Sequence, residues 1–317
     1  MTSQAPILTV TLNPALDLST AADEVRPDLK LRCDKPVVDP GGGGINVSRA
    51  IKIMGGQSTA MVALGGATGA RIAEMLKSDG LSLMRLTAPG ETRQSLAVTD
   101  RSTGGQYRFV LPGPEWHMAQ VADMMSAIAE AARAGGWVVV SGSNPPGVAP
   151  GFEQMLTVRL KDGRAKLVVD TSGEALRAMA GSSIAVDVLR MDSHEAEGLA
   201  GRPLPLRGDS AAFAAGLVKD GAAKAVIVAR GADGSVIAGP DGAWHAEAAK
   251  VPVVSAVGAG DSFVAGFVLA MAQSRPVEDA LALGAAAASA AVMTPATELC
   301  HRDEVDRLYA ERVVTRL

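Results

Sequence analysis

The sequence predicts an α/β protein: a doubly wound, mostly parallel sheet with helices on both faces, plus a small antiparallel sheet over one end. Three observations predict it. Short β-branched runs alternate with helix-periodic stretches along the chain, and two glycine loops each lead straight into a helical pattern. Two further segments alternate apolar and polar side chains around turns.

In chain order, residues 7–12 read as a buried parallel strand. Residues 29–38 alternate and read as a half-exposed strand. The run Gly41-Gly42-Gly43-Gly44 leads into a helix whose apolar face is Ile45, Ala50, Ile51 and Met54. Residues 96–110 form the second alternating segment. Helical spacing at 119–134, 151–161 and 210–220 is interleaved with strand-like runs at 137–140, 166–169, 186–189 and 225–228. The apolar stretch 281–293 is too short to span a bilayer and reads as a buried, close-packed helix. No Pro/Ser-rich linker and no long-period repeat interrupts the pattern. One domain over residues 1–317 is expected, with small-sheet segments near 29–38 and 91–110.

Composition sets bounds. A chain of 317 residues with 48% hydrophobic content can bury a large core, and aromatics at 3% leave that core to Ala, Val, Leu, Ile and Met. A net charge of −4 gives no footprint for nucleic acid or a membrane surface. Cys33 and Cys300 make neither a disulfide framework nor a metal-type pair. No basic-then-apolar leader opens the sequence, so a cytoplasmic protein is expected.

The most informative residues are Gly258, Ala259, Gly260 and Asp261. Phe263, Val264, Phe267, Val268 and Met271 follow at helical spacing. A helix start directs unpaired N–H groups and partial positive charge at an anion, and the glycines admit it to the backbone. Asp261 in the first turn can accept a proton from a substrate hydroxyl beside a transferring phosphoryl. Alone, the loop fits equally a glycine turn whose aspartate only complements the helix dipole. The four-glycine loop shifts the balance, because its bare backbone can touch a ligand and Asn46 offers a donor and an acceptor for hydroxyls.

Together these loops resemble the ribokinase-like (PfkB) sugar kinases, and most closely their 6-phosphofructokinase branch. The resemblance runs from about Ile7 to Tyr309. It takes in Asn13-Pro14-Ala15-Leu16-Asp17, Gly65-Gly66-Ala67-Thr68-Gly69, Thr92-Arg93-Gln94 and Gln106-Tyr107-Arg108. Ser141-Gly142-Ser143-Asn144-Pro145-Pro146-Gly147 and Asp170-Thr171-Ser172-Gly173 follow in the same order. The resemblance implies that the small sheet is a substrate lid and the contact of a homodimer. It implies ATP and Mg2+ as phosphoryl donor and metal, and transfer to fructose 6-phosphate. Tagatose 6-phosphate or fructose 1-phosphate is the sibling substrate, and a non-catalytic sugar-phosphate sensor is the reading from another class.

By the same resemblance, Asp17, Gly42, Gly43, Asn46 and Ser143 surround the sugar. Arg93 holds its phosphate with support from Arg108, since a guanidinium fork matches phosphate. Lys30 reaches nucleotide phosphates across the dimer, and Arg190, Asp192, Ala229, Gly231, Gly234 and Ser289 line the nucleotide. The chain departs from the family here. Asp192 stands where Asn is usual, Arg190 where Lys is, and Ala229 where a hydroxyl is. Asp192 and Glu195 still supply hard oxygens for magnesium. Glu298, in the segment Thr294-Pro295-Ala296-Thr297-Glu298, reverses a charge near the expected monovalent-ion site and weighs against potassium activation.

Overall fold

The structure, a computed structural model, describes residues 3–295 and 298–317. The chain opens with β1 (Ile7–Thr11), β2 (Ala15–Ala22) and β3 (Val37–Gly41). Next come α1 (Gly43–Ile53), β4 (Thr59–Leu64), α2 (Gly66–Ser78) and β5 (Ser82–Thr87). β6 (Arg93–Asp100) and β7 (Gln106–Val110) pair antiparallel before α3 (Met118–Ala131). Strand–helix units follow: β8 (Trp137–Ser141) with α4 (Phe152–Gly163), then β9 (Lys166–Asp170) with α5 (Gly173–Ala180). β10 (Val186–Asp192) leads into α6 (Ser193–Ala200) and α7 (Arg207–Lys219). β11 (Ala223–Ala229), β12 (Ser235–Gly239) and β13 (Gly242–Ala246) precede α8 (Ala259–Ala272) and α9 (Val277–Ala291). α10 (Arg302–Ala310) and β14 (Val314–Arg316) close the chain.

The main sheet has the order β14-β13-β12-β11-β10-β9-β8-β1-β4-β5. From β5 to β11 every pairing is parallel, and β12, β13 and β14 extend it as an antiparallel edge. All five residues of β1 and of β8 are buried, Thr9, Thr11 and Ser141 included, as strands covered on both faces must be. One face carries α1, α8, α9 and α10 over Val139, Val168 and Ile227; the other packs α4 to α7 over Val140, Val169 and Val228. Phe152, Phe263 and Phe267, three of the five phenylalanines, are among the largest fully buried side chains in this otherwise aliphatic core. Helix α9 is close-packed, as its small residues lead one to expect. A Cβ at Gly284 would stand 2.9 Å from the Phe263 carbonyl oxygen, and one at Gly266 would stand 2.7 Å from that of Leu283. Among the described residues no helix is long and apolar enough to cross a membrane.

The small sheet has the order β3-β2-β6-β7. Its outer pairs are antiparallel, and the central β2–β6 pair is parallel. Its boundaries differ from the alternating segments. Residues 29–36 form an exposed connection without strand, and the strand expected there begins only at Val37. Alternation alone does not make a strand; a partner is needed for the backbone, and the partner of β3 is β2. The sequence pattern did not mark β2 as a strand at all, although it is eight residues long.

Candidate active site

The strand ends of the parallel sheet carry the site, where open α/β sheets bind ligands. Ser141 ends β8, Asp170 ends β9 and Asp192 ends β10. Above them α8 begins at Ala259 with Gly258 as N-cap in the left-handed region, φ 79°. The N–H groups of Gly258, Gly260 and Asp261 have no acceptor among the described residues, as the orphan donors of a helix start should. Asp261 sits in that first turn and accepts a hydrogen bond of 2.9 Å from Asn46 Nδ2. Its carboxyl head is enclosed. Burial, reinforced by the charge of Asp170, pushes its pKa up to about 7, against the opposing pull of Asn46, Arg190 and Ser141. Near neutrality such a carboxylate is well matched to taking up a proton.

The four-glycine loop owes its composition to packing inside the fold. A Cβ on Gly41 would collide with the Asp17 carboxylate, and one on Gly43 with the Ser141 hydroxyl. A Cβ on Gly44 would stand 2.6 Å from the Val10 carbonyl oxygen, and one on Gly42 2.5 Å from Thr11 Cγ2. The absent side chains let α1 start directly on the ends of β1 and β8, which carries Asn46 to Asp261. Close approach of chain to chain, rather than of chain to ligand alone, explains these residues.

The small sheet gathers three of the residues expected around the sugar phosphate, Asp17, Arg93 and Arg108. Asp17 lies opposite Asp39 in β3 and Ser95 in β6. Arg93 lies opposite Ala15, and Arg108 opposite Ala97, so strand parity places all five polar residues on one face. Burial raises the proton affinity of Asp17, with Arg93, Ser95 and Arg108 acting against it and Asp39 with it. Arg93 is half-buried and anchored: Nε and Nη2 donate to the Asn13 carbonyl at 3.2 Å, and Nη1 donates to Ser95 Oγ at 3.2 Å. Ser143 is exposed on the loop after β8, and its hydroxyl accepts from Asn13 Nδ2 at 3.2 Å. Asn13 thus links the β8 loop to Arg93.

On the opposite side, Asp192 and Glu195 form a reciprocal capping box at the start of α6. Each accepts the other's backbone N–H at 2.8 Å. One oxygen of each carboxylate is left for a cation. Among the described residues no three His, Cys, Asp or Glu side chains cluster as a metal cage. A pair of carboxylates nevertheless fits magnesium, which keeps its waters and takes one or two carboxylates together with substrate phosphates. Ala229 ends β11, and Gly231 (φ 58°) and Gly234 (φ 100°) shape the following turn. A tight ionic cluster holds that turn: Asp233 accepts from Arg207 Nη2 at 2.6 Å and from Arg230 Nε at 2.8 Å, and these hydrogen bonds drop its pKa to about 2.

Two of the expected nucleotide residues, Arg190 and Ser289, make internal contacts. Arg190 turns its guanidinium inward, with Nη1 donating to Asp170 Oδ1 at 3.0 Å. Ser289 is buried in α9, and its hydroxyl accepts the Ala249 N–H at 3.1 Å, an internal use. Lys30 is exposed in the β2–β3 connection. Glu298 is exposed 3.5 Å from His301, while Ala296 and Thr297 of the same segment lie outside the described residues. The sequence pattern assigns no role to Asp39 or Asp170. The available signal for Asp170 was its position as a polar residue closing an apolar strand run.

Known proteins resemble this chain over nearly its whole length. The pattern of the pfkB family carbohydrate kinases matches residues 11–304. The ATP-dependent 6-phosphofructokinase isozyme 2 of Mycobacterium tuberculosis is 36% identical over 303 residues, covering 96% of this chain and 88% of the relative. The Escherichia coli protein of that name is 36% identical over 305 residues, covering 96% and 98%. The crystal structure of Escherichia coli phosphofructokinase-2 in complex with potassium superposes with a TM-score of 0.90 at 35% identity, covering 97% and 99%. The homodimer expectation is corrected by a further structure of that protein, a tetrameric inhibited form with a TM-score of 0.88. Two chains joined through one lid surface do not account for four. The chain belongs to the pfkB family of carbohydrate kinases.

Proposed function

We propose that this protein transfers the γ-phosphoryl group of ATP to fructose 6-phosphate, giving fructose 1,6-bisphosphate. The observation that carries the reading is Asp261: an enclosed carboxylate, poised near neutrality, in the first turn of a helix with free N–H groups. The attacking hydroxyl loses its proton to Asp261 as its oxygen bonds to phosphorus and the bond to the bridging oxygen of ADP breaks. The N–H groups of Gly258 and Gly260 face the oxygens that gain charge. Asn46 fixes the orientation of the carboxylate. Arg93 and Arg108 bind the phosphate of the acceptor, and Asp17 accepts from sugar hydroxyls on the same lid face. Asp192 and Glu195 would hold magnesium, which when bound neutralises triphosphate charge.

The relatives named 6-phosphofructokinase support this acceptor, and proteins named 1-phosphofructokinase match less closely, at 29–31% identity. The test is a coupled ADP-release assay with fructose 6-phosphate, tagatose 6-phosphate, fructose 1-phosphate and free fructose. Fructose 6-phosphate should give the highest kcat/KM. A higher value for any of the other three rejects this acceptor, and no turnover with any of them rejects the kinase reading.

A further inference from the structure

We infer that Arg190 and Asp170 act as a positioning pair for Asp261 and its loop, and that Arg190 does not clamp nucleotide phosphate. The inference rests on the reading of Asp261 as the base. It starts from strand register. Ser141 in β8 lies opposite Asp170 in β9, which lies opposite Arg190 in β10, so three adjacent strand ends carry these side chains in one row on one face. The row is bonded along its length. Ser141 Oγ donates to Asp170 Oδ2 at 3.3 Å, and Arg190 Nη1 donates to Asp170 Oδ1 at 3.0 Å.

The pair is enclosed, with Arg190 and Asp170 side chains 14% and 13% exposed. Its guanidinium lies against the catalytic loop: a Cβ on Gly260 would stand 3.2 Å from Nη2 and 3.4 Å from Nη1. Gly260 is therefore small on the side that meets Arg190, whatever its N–H binds. A rigid fork held on a carboxylate and packed under a backbone is poorly placed to follow a mobile triphosphate. It is well placed to hold one residue of a loop still.

The groups facing Asp261 are Asn46 from α1, Ser141 from β8, Asp170 from β9 and Arg190 from β10. Asp192 and Glu195 lie beyond Arg190 at the start of α6 and act on it rather than on Asp261 directly. Asp170 raises the proton affinity of Asp261 and Arg190 lowers it. Removing the two partners one at a time must therefore move Asp261 in opposite directions. A phosphate clamp would instead appear in the nucleotide constant.

The experiment is steady-state kinetics of the full chain and of Arg190→Met, Arg190→Lys and Asp170→Asn, with fructose 6-phosphate and MgATP, across the neutral pH range. Arg190→Met should lower kcat by about tenfold or more, since a misplaced base loses that much, with nucleotide KM within about threefold of native. The acid-side midpoint of kcat/KM should move up by about one unit in Arg190→Met and down in Asp170→Asn, as expected for a charge a few ångströms away. Arg190→Lys should keep the native midpoint and lose part of kcat. If Arg190→Met does not fold, as read by circular dichroism, Arg190→Lys and Asp170→Asn decide by the same criteria. A tenfold rise in nucleotide KM with kcat preserved, or midpoints that stay put or move together, overturns the inference. A native profile without a midpoint near neutrality, together with an active Asp261→Asn variant, would instead remove the reading of Asp261 on which it stands.

Discussion

Asp261 joins function and stability in one side chain. Asp261→Asn keeps an acceptor for Asn46 but cannot take a proton, and turnover should fall by about two to four orders of magnitude. Binding of fructose 6-phosphate, measured by calorimetry, should change little. The same residue has a cost to the fold. In the native chain its carboxyl keeps its proton up to about pH 7, whereas the ordinary aspartate value is 3.8. Between those values the native state holds more protons than the unfolded one, so this group's contribution to stability declines as pH rises through that window. Asparagine is exempt. The variant should melt above the native protein at pH 8, by a few degrees, and lose that advantage below pH 4. An unchanged difference between the two pH values would show that the carboxyl titrates normally. Sequence placed Asp261 in a first helical turn, because glycines and amphipathic spacing are local signals. It assigned Asn46 to the sugar and Asp170 to nothing, and their influence on Asp261 comes from 215 and 91 residues away.

At the scale of elements, the longer helices with one buried face and the β6–β7 hairpin were legible, whereas β2 and several helices, α2 among them, were not. Residues 119–134, 151–161 and 210–220 each contain or overlap an observed helix, because helical periodicity records one buried face. The strand runs at 166–169 and 186–189 were found but ended early. The structure continues them to Asp170 and Asp192, polar residues that an apolar pattern cannot include and that face the site. β2 escaped notice because its burial is mixed and its pairing partners are remote in sequence. The α8–α9 contact offers a test of packing. Gly266 has no room for a methyl group against the Leu283 backbone, and helix propensity alone would favour alanine there. Gly266→Ala should therefore destabilise the protein by about 1–3 kcal/mol through overpacking. Urea denaturation yielding equal or greater stability would mean that the helices separate without cost.

At the scale of the molecule, the site exists only because the small sheet and the main sheet meet. Arg93 belongs to the small sheet, yet its guanidinium is held by the carbonyl of Asn13 in the turn between β1 and β2, whose side-chain amide donates to Ser143 after β8. Arg93→Ala should weaken fructose 6-phosphate by about 1.5–3 kcal/mol, the range for a lost charged hydrogen bond, and leave the nucleotide constant nearly unchanged. Equal losses for both substrates would mean that the arginine only joins the two sheets. The sequence by itself determined the fold class, five of the parallel strands, the two glycine loops and the family, since periodicity, turn chemistry and motif order are properties of short segments; the buried strand β4 was not among them. Tertiary structure decided what each glycine accommodates, which way Arg190 points, that Ser289 serves the interior, and that Asp17, Asp39, Ser95, Arg93 and Arg108 share one face. Those outcomes depend on strand register and on contacts between segments far apart in the chain. Local pattern carries no record of either.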